Sequence, residues 1–206
     1  MDDVRLPETA HTSRTWRVHE IAGAFRLADV WRLPTPGTRD DFPRLVDLFA
    51  SLDPFRSSSR AVRVLFALRV KVGELLHWDD GDSAAVPTSP IPRDRLPEDL
   101  REGPTGPRSA NLPYVPLYLT RDEWAAVVVS RTVDGVLHLG WVADGAGRYR
   151  GQMAVLVRPN GLLGSLYMAA IAPFRHRVVY PRLMREIEHE WRAPARAATE
   201  AACPPA

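Results

Sequence analysis

The stretch Val136-Leu137-His138-Leu139-Gly140-Trp141-Val142-Ala143-Asp144-Gly145-Ala146-Gly147-Arg148-Tyr149-Arg150-Gly151-Gln152-Met153-Ala154-Val155-Leu156-Val157-Arg158 decides the fold. Two runs rich in β-branched and aromatic residues flank Asp144 to Gly147, which are residues that tight turns require. The reading is an antiparallel hairpin of Val136 to Ala143 with Tyr149 to Arg158. On the second strand Tyr149, Met153, Val155 and Val157 form an apolar set, against polar Arg150, Gln152 and Arg158. With a two- or four-residue turn, Ala143 pairs with Arg148 and His138 with Met153. His138 then points inward with the apolar set, whereas an odd loop reverses the parity. A preceding turn at Asp134-Gly135 places Arg131 or Val129 across from His138. The glycines from Gly145 to Gly151 approach a dinucleotide-binding motif. Their spacing differs from it, and a strand follows where a helix N-terminus would have to receive a phosphate, so they are read as turn residues.

Downstream, Gly161 to Trp191 reads as one long helix kinked at Pro173 and Pro181. Leu163, Leu166, Tyr167, Ala170, Ile171, Phe174, Val178, Leu183, Ile187 and Trp191 share a face at helical spacing. Leu166, Ala170, Phe174 and Val178 are expected against the concave side of the sheet. Upstream lie two more strands, Glu123 to Arg131 and an edge strand Tyr114 to Leu119, where Pro116 is tolerated. Residues 79–113 carry seven prolines among polar residues. They predict a long, mobile, lid-like loop with one short turn around Leu96 to Arg101. A first strand runs from Phe25 to Leu33, with Phe25, Leu27, Asp29, Trp31 and Leu33 on one face. Asp40 or Asp41 caps a helix carrying Leu45, Val46, Leu48, Phe49 and Leu52. A second helix starts at Ser57 to Ser59 and buries Val62, Leu65, Leu68, Val72, Leu75 and Leu76. The organisation is a flexible arm (1–15), one domain (16–193) and a disordered tail (194–206). The class is α+β: a curved antiparallel sheet wrapped around a long C-terminal helix, with two shorter helices after the first strand.

Composition narrows the function classes without choosing one. The chain has 206 residues, 45% hydrophobic and 25% charged, and a net charge of +2. That is the balance of a globular protein large enough for its own core. Lys71 is the only lysine and Cys203 the only cysteine. A disulfide framework and a cysteine metal site are therefore excluded. Met1 is followed by Asp2 and Asp3 rather than a basic targeting region, and the longest charge-free run, Pro159 to Phe174, is short for a membrane span. A cytoplasmic protein without a membrane span is expected. His77 to Asp82 lacks the ligand alternation of a calcium loop, and Glu186, Glu188, His189 and Glu190 lack a zinc-type histidine pair. Arg175, His176, Arg177, Arg182 and Arg185 form a basic cluster without the aromatic platforms of a nucleic-acid module, so no nucleic-acid partner is expected.

Tyr149 to Gly164, its continuation Leu166 to His176, and Asp29-Val30-Trp31-Arg32-Leu33-Pro34 carry a resemblance. Together they resemble a bacterial domain family of unknown function in the START-like, helix-grip (SRPBCC) superfamily, over residues 25–192. Relatives of that family also occur fused behind NAD(P)-binding Rossmann domains of the short-chain-reductase type. The resemblance implies a helix-grip fold around a hydrophobic cavity. Superfamily relatives bind lipids, steroids or polyketides, and a minority are cyclases, dehydratases or hydroxylating components.

The expected function is binding of a small, largely hydrophobic molecule, lipid-, polyketide- or isoprenoid-like, between sheet and C-terminal helix. The alternative is a cyclase, isomerase or dehydratase in that cavity, with His138 as acid/base. A second alternative is an accessory domain of a separate reductase. The candidate ligand-binding residues are Arg131, His138, Tyr149, Met153, Val155, Tyr118, Tyr167, Ala170 and Phe174. No cofactor and no metal are expected. The competing reading of His138 is a core histidine bonded to a backbone group, and that of Tyr118 and Tyr167 is amphipathic packing with the hydroxyl in water.

Overall fold

Five strands form one curved antiparallel sheet in the computed structural model, which describes residues 5–52, 91–109, 114–128, 133–145 and 147–202. The strands are β1 (Arg26–Arg32), β2 (Tyr114–Leu119), β3 (Glu123–Val128), β4 (Val133–Gly145) and β5 (Arg148–Pro159), in the order β1-β5-β4-β3-β2. β2 to β5 follow one another as a meander. β1, first in the chain, pairs with β5 at the other side.

Because side chains alternate along a strand, cross-strand partners form rows on one face. One row reads Trp31, Met153, Leu139, Trp124 and Leu119 across all five strands. It faces α3 (Phe42–Ser51) and α6 (Tyr180–Ala202), which bring Phe42, Leu45, Val46 and Phe49, and Tyr180, Met184, Ile187 and Trp191, into the same core. The neighbouring row reads Val30, Ala154, His138, Ala125 and Tyr118 and points the other way. That second face is covered by the N-terminal segment with its single turns α1 (Thr9–Thr12) and α2 (Val18–Ile21), and by Ile91, Leu96 and Leu100 around α4 (Glu98–Glu102). The sheet is therefore buried on both sides, and strands such as β3, with five of six residues buried, lose the alternation of a half-exposed strand.

Several expectations change in detail. The hairpin turn contains a bulge between Ala143 and Gly145, so Ala143 pairs with Tyr149 and His138 with Ala154 rather than Met153. This is the odd count that reverses parity, and His138 faces away from α6. The turn glycines Gly145 and Gly147 have φ of +90° and +74°, a conformation that favours glycine. Asp134 and Gly135 lie within β4, and Ala125 stands opposite His138. Arg131 lies outside the described residues, as do the second helix expected at 57–76 and His77 to Asp82. A second bulge, at Ala28, switches β1 from one face to the other, so Leu27 packs with the N-terminal side while Asp29 and Trp31 face the helices. Asp41 stands at the N-cap of α3, but its carboxylate accepts hydrogen bonds from Thr38 N–H (2.7 Å) and Oγ1 (2.8 Å).

The long helix is α5 (Gly161–Phe174), one π-helical turn (Arg175–Val179) and α6. Tyr180 N–H donates to Arg175 C=O five residues back, which marks the wide turn. Pro173 and Pro181 remove two N–H donors on either side of it, where a regular ladder cannot be kept. The extra residue breaks the common stripe: Leu166 is 68% exposed and Ala170 is exposed, Phe174 and Val178 are half-buried, and Tyr180, Met184, Ile187 and Trp191 make the contact with the sheet. The helix also continues to Ala202, beyond the tail boundary expected at residue 194.

Candidate functional site

On the helix side, a cleft of about 680 Å³ opens between the first turns of α6, the segment Trp31 to Pro36 and the β4–β5 turn. Trp31, Leu33, Pro34 and Pro36 supply apolar walls from the β1 side, and Pro181 and Met184 from α6. Arg32, Arg150, Arg185, Asp144 and Glu188 add charge. Trp31 is held by Tyr180 at 4.4 Å between ring centroids, and its buried indole N–H meets no acceptor among the described residues. Asp144 pairs with Arg150 at 3.4 Å and Arg148 at 3.8 Å.

Next to the cleft, Asp29 is a fully buried carboxylate on the helix side of β1. The π-helical turn delivers Arg175 Nη2 at 2.5 Å and His176 Nε2 at 2.6 Å to its two oxygens. The Tyr180 hydroxyl donates to it at 3.2 Å, and Arg5 approaches at 3.6 Å. Burial pushes the Tyr180 phenol well above its ordinary value, so it stays a neutral donor. Two residues of the basic cluster read in the sequence, Arg175 and His176, are thus turned inward onto one buried acid.

The other face carries a second polar constellation. Ala125 and Ala154 flank His138, and Gly140 leaves the space in which the Trp16 ring lies; a Cβ there would come within 2.8 Å of the indole. In this hollow His138 Nε2 lies 3.2 Å from Glu123 Oε2, His138 Nδ1 3.1 Å from His11 Nε2, and His11 Nδ1 3.0 Å from His19 Nε2. Glu123 also accepts from the Tyr118 hydroxyl at 3.0 Å and from Arg17 N–H at 2.9 Å on each oxygen. The anchored carboxylate sets the tautomers: each histidine carries its proton on Nε2 and donates toward Glu123, while His138 and His11 accept on Nδ1. Burial lowers the His138 imidazole despite the attraction of Glu123. Burial, with the neighbouring His138 and His19, lowers His11 to about 3. Burial alone would raise Glu123, but the hydrogen bonds from His138, Arg17 and Tyr118 prevail and hold it below its ordinary value. Tyr118, buried beside Glu123, is pushed far upward. Chemically this is a row of imidazoles leading from half-buried His19 to a buried carboxylate.

The residues expected around one ligand are therefore divided. Met153, with Tyr149 and Val155 packed against it, belongs to the helix-side core. His138 and Tyr118 belong to the opposite face. Ala170 is exposed and Phe174 half-buried on α5, which also carries Tyr167. Met153, Tyr149, Val155, His138, Tyr118, Ala170 and Phe174 are not among the described walls of the cleft. Its walls were not singled out in the sequence, although the Pro34-Thr35-Pro36 run that ends β1 was a visible sign that the chain leaves the sheet there. His11 and His19 were missed because nothing local marks an arm residue as the partner of one over a hundred positions away. Among the described residues no helix is long and apolar enough to cross a membrane.

Fold and sites together define an α+β protein with a doubly covered sheet and an apolar cleft at the C-terminal helix. The chain belongs to the family described as "Protein of unknown function (DUF2867)", whose model matches residues 21–182. The match takes in the sheet, the Asp29 cluster and the first residues of α6, and begins after the arm carrying His11 and His19. No curated protein and no solved structure matches the chain.

Proposed function

We propose that this protein is a helix-grip binder of a small, largely apolar molecule, lipid-, polyketide- or isoprenoid-like, seated in the cleft between α6 and the sheet. The observation that carries the reading is the cleft itself, about 680 Å³ with apolar walls from Trp31, Leu33, Pro34, Pro36, Pro181 and Met184. Small-molecule sites typically measure about 300–1,000 Å³ and combine such walls with a few polar groups. Arg32, Arg150, Arg185, Asp144 and Glu188 supply the polar groups here. Binding is favoured over turnover because His138 stands on the other face of the sheet and the described cleft walls carry no histidine. The dye 1-anilinonaphthalene-8-sulfonate should brighten on mixing with the full chain, and much less with Met184→Trp, whose indole fills the cleft. Equal brightening of both proteins would locate the dye elsewhere and sink the reading. Native mass spectrometry of freshly purified protein should in addition reveal any molecule carried through purification.

A further inference from the structure

A second hollow, of about 420 Å³, lies on the arm side of the same sheet edge and shares two walls with the cleft, Arg32 and Arg150. We infer that the ligand is an amphipathic anion. Its apolar part occupies the α6 cleft, and its carboxylate or phosphate head is held by Arg32 and Arg150 with Arg14 beyond them. The inference rests on the proposed function and adds the chemical class of the ligand.

Charge supports it first. Among the described residues the second hollow is walled by three arginines, Arg14, Arg32 and Arg150, and by no carboxylate. Arg150 has a counter-ion in Asp144 at 3.4 Å, which lies on the cleft side. Among the described residues Arg32 has no carboxylate partner, and Arg14 rests 5.9 Å over the Trp16 ring without one. Guanidinium groups with unused donors around one concavity are complementary to a carboxylate or a phosphate, which their planar fork binds through paired N–H groups. The independent observation is Gln152. It lines the same hollow, is only 4% exposed, and donates through Nε2 to Ala10 C=O at 3.2 Å, while its Oε1 meets no donor among the described residues. A buried acceptor left unmatched is costly, and a hydroxyl on the head group would satisfy it.

The test is calorimetric titration of the full chain at low salt with decanol, decanoate and decyl phosphate. The anions should bind at least about tenfold more tightly than the alcohol, the scale of one charge-assisted hydrogen bond. Arg32→Ala and Arg150→Ala should each lower the affinity for the preferred anion by a larger factor than that for decanol, so that the anion's advantage shrinks to less than about threefold. Arg32→Lys, which keeps the charge and loses the fork, serves as a second variant if the alanine protein fails to fold, and should lose part of the preference. Preference for decanoate identifies a carboxylate head and preference for decyl phosphate a phosphate head; either supports the inference. Equal binding of anion and alcohol, both lost in Met184→Trp, overturns the head-group assignment while the apolar cleft stands. Failure of all three to bind overturns the inference together with the proposed function.

Discussion

His138 is held neutral between Glu123 and His11, and the tautomer chain leaves no acceptor for an added proton except at the His19 end. Protonating His11 or His138 would set two donors against each other across one hydrogen bond. The His11 imidazole is lowered from 6.5 to about 3 in the fold, first by burial and then by its histidine neighbours, so the unfolded chain binds a proton more readily. Stability from this group is fully present above pH 6.5 and is lost as pH falls from 6.5 toward 3. Urea unfolding between pH 6.5 and 5, above the range where carboxylates titrate, should show a decline approaching about 1.4 kcal/mol per pH unit for each such histidine. In His11→Gln the share of His11 should disappear; an unchanged slope would show that His11 does not contribute. Sequence alone singled out His138, because a histidine inside an apolar alternation stands out. Its direction was lost to one bulge residue, Asp144, since a single added residue exchanges the faces of a strand. The small residues Ala125, Gly140 and Ala154 around it were the legible trace of something packed over that face.

At the scale of elements, the π-helical turn is where β1 and the C-terminal helix are tied together. Asp29 is wholly buried, and Arg175, His176 and the Tyr180 hydroxyl make up its shell. Asp29→Asn keeps the shape and removes the charge, which leaves a mostly buried guanidinium without its counter-ion. Breaking such a pair from one side typically costs about 3–5 kcal/mol, and the partial exposure of Arg175 puts the expected loss near the lower end. Hydrogen exchange should accelerate in the variant at residues 175–180 and in β1, with β2 and β3 little changed. Uniform protection equal to the parent would mean that the cluster is not what fixes this turn. The two prolines were enough to read an interruption of the helix. The change of face was not legible, because a regular period carried through the interruption assigns Leu166 and Ala170 to the wrong side.

For the whole molecule, the sequence conveyed the class and most strand positions, including the edge strand with Pro116 and the hairpin that closes the meander. It did not convey that the sheet has two covered faces. The arm and the proline-rich region are too polar on average to announce a few anchors, yet Trp16, Val18, Ile91, Leu96 and Leu100 are all buried against the sheet. The part of that region described here, residues 91–109, is docked on the face opposite the cleft rather than hung over it as a lid. Arg17 ties it to the arm through Asp99 at 2.7 and 3.1 Å. Trp16→Ala should therefore behave as a core truncation and cost about 3–5 kcal/mol in urea unfolding, a large part of the roughly 5–15 kcal/mol of a typical domain. A loss below about 0.5 kcal/mol, as at an ordinary surface position, would return the arm to the role of a loose tether.

The strand order has a consequence for biosynthesis. β1 leaves the ribosome before its partner β5 and before the Arg175 and His176 that bond Asp29, which follow about 120 to 150 residues later. At about 5–20 residues per second, the first strand waits roughly 6–24 s for β5. During that time Trp31 and Leu33 have neither the sheet nor α6 to bury them, and Asp29 remains hydrated. β2 to β4, built from neighbouring segments, are free to pair meanwhile, and β5 on joining them presents the edge onto which the waiting strand docks. Nascent chains of this protein should therefore depend on shielding of residues 26–33 until the C-terminal helix has been made.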